Sequence, residues 1–111
     1  MPKDDKALTD QKTLAMSSLR RRNYKQALEE IEVAEQMAPK DPEVHFIRGI
    51  ILFAIQDSKG AEQSYKNAIE LNPDYSKAHF NICGLYLQNK SYDEATVHCQ
   101  KAADDKLYES R

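Results

Sequence analysis

Cys83, Cys99, His45, His79 and His98 are the side chains of this sequence with the chemistry for redox, metal or imidazole acid–base work. The two cysteines stand 16 residues apart, far from CxxC spacing, and no second Cys/His pair lies at zinc-ligand distance. Cys83 falls at a position held by Ala15 and Gly49 earlier in the chain, and Cys99 at one held by Ile31 and Tyr65. Small and apolar residues fill both places, so the expectation is a pair of reduced thiols packed as small hydrophobes. His45 and His79 are themselves equivalent, with His98 elsewhere. Equivalent atoms of neighbouring helical units sit about 10 Å apart, too far to share a metal, and both histidines are expected to pack between helices. There is no Ser/His/Asp grouping, HExxH motif or glycine-rich phosphate loop among residues that include only Gly49, Gly60 and Gly84. The expectation is a non-catalytic chain with no catalytic, cofactor-binding or metal-binding residues and no cofactor. Asn89-Lys90-Ser91 matches a glycosylation sequon only formally.

Charge excludes other functions. With 31% charged residues and a net charge of −2, no global field favours nucleic acid or an anionic membrane. The basic run Arg20-Arg21-Arg22 falls where a first helix should end, where cations complement the last carbonyls. No stretch is long enough to span a membrane, and Met1–Lys6 lacks the apolar core of a signal peptide. As written the chain is expected to be soluble and cytoplasmic, without an export address.

The elements that carry these residues follow from a fixed period. Ala27, Ala61 and Ala95 stand 34 residues apart, as do Ala34, Ala68 and Ala102, and Pro39 with Pro73. The step also links Leu14, Arg48 and Ile82. Small and apolar positions held in register over such a period signal a helical repeat array. The blocks are 8–41, 42–75 and 76–111, behind a flexible leader, 1–7. Each reads as two amphipathic helices, as in Val44, Ile47, Ile50, Ile51 and Ala54, followed by Ala61, Tyr65, Ala68 and Ile69. Pro42 suits a first helical turn, Asp57 or Ser58 a cap, and turns are expected around Arg22-Asn23 and Asn89–Ser91. Nothing alternates as a strand would. Short turns force the paired helices to lie antiparallel, with Ala15, Gly49 and Cys83 expected to face Ala27, Ala61 and Ala95.

This pattern resembles the tetratricopeptide repeat: Arg48-Gly49, Leu52, Ala61, Tyr65, Ala68 and Pro73 in the second block, with Ile82-Cys83, Tyr86, Ala95, Cys99 and Ala102 in the third. The resemblance implies an all-α, right-handed superhelix of three helix-turn-helix repeats. It also implies a chain built to hold a protein or peptide partner. A narrower likeness runs through the third block, from Ala78 to Tyr108, to the bacterial type IV pilus biogenesis and stability lipoproteins. It implies a role in assembling a pilus and its outer-membrane secretin. A fragment of such a protein would be periplasmic or associated with the outer membrane.

The first helix of each block would line the concave face. The carboxylate clamp of chaperone-binding repeats can be tested there against Lys12, Met16, Ile47, Lys77 and Asn81. Two positions match, and both ligand-bonding asparagines are replaced by apolar residues, so an acidic C-terminal tail is not the expected ligand. The lining is instead Met16, Leu19, Phe46, Ile50, Phe53, Phe80 and Leu87, flanked by Lys12, Arg20, Lys77 and Gln88, with Asn81 also a candidate for partner binding. So many large groups on one side suit an amphipathic helix or an extended apolar segment. The expected function is a protein-binding adaptor. The candidate settings are a bacterial pilus or secretin machine, a cytosolic co-chaperone shielding a client segment, and an accessory domain of a larger protein. The last helix has no following cap, so self-association through the third repeat is a further expectation.

Overall fold

A computed structural model describes the backbone of residues 2–109 and the side chains of 6–103. Six helices follow one another: α1 (Pro2–Arg20), α2 (Tyr24–Met37), α3 (Pro42–Ala54), α4 (Ser58–Leu71), α5 (Ser76–Gln88) and α6 (Tyr92–Glu109). No strand occurs among the described residues. The helices pack as three antiparallel pairs, and α2 against α3 and α4 against α5 join the pairs into a superhelical stack. The segment 1–7, expected as a flexible leader, is helical from Pro2 onward, as the N-terminal end of α1.

The turns repeat with the same period as the core. Arg22, Gln56 and Lys90 all adopt left-handed backbone, with φ of 65°, 68° and 64°. In each, the next residue's N–H reaches back to close the preceding helix: Asn23 to Ser18 O, Asp57 to Leu52 O and Ser91 to Tyr86 O, at 2.8–2.9 Å. This six-residue closure satisfies carbonyls that a helix end otherwise leaves unpaired. The second helix begins at once. Asp57 caps α4 by accepting from Gly60 N at 3.0 Å, and Asp41 caps α3 by accepting from Glu43 N at 2.9 Å, with Pro42 behind it.

The core consists of two clusters, with Leu28 and Phe46 packed against both. Ala15, Ala27, Ile31, Ala34, Val44, Ile47 and Ile51 join the first two repeats. Leu52, Ala61, Tyr65, Ile82, Leu85, Tyr86 and Ala95 join the second to the third. In the second repeat, where Gly49 was expected to face Ala61, the nearest group is the Tyr65 ring: a side-chain carbon placed on Gly49 would stand 2.5 Å from its Cε1. Gly49 is small because an aromatic ring lies against it.

The same register overturns the expected reduced thiols. Cys83 and Cys99 occupy the positions of Gly49 and Tyr65 one repeat on, and they form a disulfide with Cα atoms 5.1 Å apart. Antiparallel helices bring these positions into contact in the second repeat and in the third, and two cysteines there lie within bonding reach.

Candidate functional site

Lining of the inner face follows from this stacking: α1 touches α3 directly, so the first helices form the inside of the curve. The sequence candidates on it divide into two groups. Met16, Leu19, Phe46 and Ile50 are half-buried and pack onto the core clusters. Phe46 lies between two tyrosines, its ring centroid 6.1 Å from that of Tyr65 and 5.2 Å from that of Tyr75. Phe53, Phe80 and Leu87 are exposed, Phe80 by 69%. Phe80 thus leaves most of a large apolar ring open to water.

The polar candidates are placed differently. Lys12 is not a free rim cation: its Nζ lies 2.8 Å from Asp41 Oδ2 and 2.7 Å from Glu43 Oε1. Burial by itself would lower the Lys12 pKa, but the two carboxylates outweigh it and raise it. The same carboxylates reinforce the effect of burial on Tyr75, whose phenol is pushed up to about 12. Beside Lys12, a cavity of about 220 Å³ is lined by Thr9, Thr13, Met16, Arg20, Glu43 and Ile47. An anionic tail entering it would meet a lysine already neutralised by two acids. Asn81 donates to Tyr65 Oη at 3.5 Å, and Lys77 is exposed. No cluster of three His, Cys, Asp or Glu side chains able to hold a metal occurs among the described residues.

The histidines act between repeats. His45 Nε2 donates to Pro39 O at 2.7 Å, and His79 Nε2 donates to Pro73 O at 2.8 Å, so each ties the start of one repeat to the end of the last. His98, which the sequence left apart, belongs with His79: their Nδ1 atoms are 2.9 Å apart. The rings meet through these nitrogens, with centroids 5.1 Å apart and planes inclined by 29°. Pro73 O can only accept, so His79 carries its proton on Nε2 when neutral, and its Nδ1 accepts from His98. His98 also lies against the Tyr86 ring, centroids 5.7 Å apart. The Tyr86 hydroxyl donates to Glu62 at 2.7 Å, and Lys66 sits 3.0 Å from the same carboxylate oxygen. Burial, then the neighbouring His79 and Lys66, lowers the His98 pKa.

The repeat register places Cys83 and Cys99 at the positions of Gly49 and Tyr65, and the tertiary structure shows that these positions touch. Nothing similar marked His98, whose equivalents are Glu30 and Ser64.

Comparison with known proteins decides the family. Two sequence profiles of the tetratricopeptide repeat match, one over residues 12–66 and one over 52–106, together running from within α1 to within α6. The chain belongs to the tetratricopeptide repeat family. Such repeats are protein-binding modules, and this one matches stretches of much longer relatives. It is 33% identical over 84 residues to the human protein O-mannosyl-transferase TMTC1, covering 72% of this chain and 10% of that protein. It is 24% identical over 98 residues to the type IV pilus assembly protein PilF of Pseudomonas aeruginosa, covering 88% of this chain and 39% of PilF. The solved PilF structure superposes with a TM-score of 0.89 over 97% of this chain and 49% of that one, again at 24% identity. A tetratricopeptide repeat domain of Spaghetti (RPAP3) bound to an HSP90 peptide superposes at 0.85, with 17% identity over 90% of this chain and 79% of that one. At those identities the superpositions establish a shared fold.

Proposed function

We propose that this tetratricopeptide repeat module is a non-catalytic scaffold whose concave groove holds an amphipathic helix or extended apolar segment of a partner protein. The observation that carries this reading is the exposure of Phe80 on the inner helix α5, with Phe53 and Leu87 also exposed on the inner helices. Apolar anchors of this kind contribute most of their binding energy once a partner removes them from water. The engaged state of Lys12 argues against an acidic-tail ligand of the co-chaperone type. Likeness to PilF supports the finer reading, in which the partner belongs to a type IV pilus-type assembly.

Immobilised protein tests the groove. Partners retained by the parent chain should be lost from a Phe53→Ser, Phe80→Ser, Leu87→Ser variant that keeps its helical circular dichroism. Equal retention by parent and variant would remove the groove from the mechanism. Loss of capture on raising salt, with the apolar variant still binding, would restore an anionic ligand.

A further inference from the structure

We propose that Cys99 is a thiol-exchange site through which a small cellular thiol, of the glutathione class, opens the covalent lock on the third repeat. The observations are the bond itself and the unequal surroundings of its two sulfurs. Cys83 is 8% exposed, in the seam between α5 and α6. Cys99 is half-buried and lines an open-sided cavity of about 290 Å³, together with Leu87, Tyr92, Ala95, Thr96 and Gln100. Exchange requires a thiolate to reach a disulfide sulfur, and here access exists at one end of the bond.

The incoming thiolate forms a new S–S bond to Cys99 as the Cys83–Cys99 bond breaks. The electron pair leaves on the Cys83 sulfur, which takes up a proton from solvent, so no net oxidation occurs. A second thiol then attacks the added sulfur and releases Cys99 as thiolate. Two small thiols are thereby oxidised to one disulfide while the protein disulfide is reduced to two thiols.

Opening the bond matters because of what stands at this position elsewhere. The first repeat fills it with Ala15 and Ile31, and the second with Gly49 and the Tyr65 ring. Neither of those pairs sets two thiols against each other: on reduction the sulfurs must separate from bonding to van der Waals distance, so the opened seam is pushed apart as well as unlinked. The first two repeats contain no cysteine. Redox state therefore acts first on α5 and α6, the helices that the bond links.

The test begins with full-length protein purified in air without reductant and alkylated with iodoacetamide after denaturation. Neither cysteine should be labelled; full labelling of both would overturn the proposal. Excess reduced glutathione should then give a mixed disulfide that peptide mapping assigns to Cys99, with Cys83 available to alkylation. A glutathionyl group found on Cys83 instead would also overturn it. Single-cysteine chains remove any dependence on trapping the intermediate. Cys83→Ala should fold, since Ala15 stands at that place in the first repeat, and its lone Cys99 should react with glutathione disulfide at least about tenfold faster than Cys83 in a Cys99→Ala chain. Equal rates, or a faster Cys83, would refute access through the cavity. Amide exchange should accelerate on reduction, more in α5 and α6 than in α1 to α4; unchanged exchange throughout would show that the bond locks nothing.

Discussion

Gly49 lies so close to the Tyr65 ring that a single added carbon would stand 2.5 Å from Cε1. Tyr65 is 2% exposed, its ring centroid is 6.1 Å from that of Phe46, and its hydroxyl accepts from Asn81, so the ring has little room to retreat. Gly49→Ala should therefore destabilise by about 1–3 kcal/mol through overpacking, despite the better helix propensity of alanine. Urea unfolding checks this. A variant as stable as the parent would show that the ring moves freely.

The His79–His98 contact makes a prediction about pH. Burial and the nearby His79 and Lys66 lower the His98 pKa below its ordinary 6.5. The unfolded chain therefore binds that proton first as pH falls. This contribution to stability is complete above about pH 6.5 and is lost as pH drops through the lowered folded value. A second proton on the pair would also set N–H against N–H across 2.9 Å. Asp74, held by Lys101, and Glu62, held by the Tyr86 hydroxyl and then by Lys66, are carboxylates on this side, and both have lowered pKa values. They titrate below the window. Thermal midpoints measured from pH 7.5 to 5.5 should fall, and His98→Ser, which copies Ser64 of the second repeat, should flatten the fall. An identical slope in the variant would assign the pH dependence elsewhere.

Three turns hold exposed non-glycine residues in left-handed backbone, among them Gln56 with φ 68°. Gln56→Gly should stabilise by about 0.5–1 kcal/mol, and Gln56→Val should destabilise, because β-branched residues tolerate this region least. Chemical denaturation of the pair gives the comparison. The same order should hold at Arg22 and Lys90.

Asp41 caps α3 and also accepts from Lys12 at 2.8 Å. Asn caps as well as Asp but cannot form the ion pair, so the two roles separate. Asp41→Ala should cost about 1–2 kcal/mol and Asp41→Asn clearly less, with the difference from the parent shrinking in high salt for Asn alone. Equal losses would mean that the ion pair, rather than the cap, holds this end of α3.

Phe80 is 69% exposed. Phe80→Ala should change folding stability by no more than about 0.5 kcal/mol while weakening a captured partner by about 2 kcal/mol or more. Phe46→Ala should do the reverse in part, losing stability through its contacts with Tyr65 and Tyr75. Titration calorimetry and unfolding on the same proteins distinguish the two patterns.

The sequence by itself determined the number of repeats, the six helices and their turns, because a 34-residue period in small and apolar residues reflects a packing unit that recurs without insertion. It also determined that Cys83 replaces Gly49 and that Cys99 replaces Tyr65. What it left open was which of these positions touch. Spacing along a helix gives the face a residue occupies, but the contact across a helix pair depends on how far one helix slides along the other. Only the tertiary structure fixed that offset, with Gly49 against Tyr65 and hence Cys83 bonded to Cys99. Phe46 and Phe80 are equivalent in sequence, yet the first lies between two tyrosines and the second is open to water. Both tyrosines belong to Phe46's own repeat, and in the third repeat Cys99 stands where Tyr65 would, so the ring that covers Phe46 has no counterpart beside Phe80. Lys12 likewise reads as a solvated cation until α1 and α3 come together, because the carboxylates that hold it lie 29 and 31 residues away along the chain.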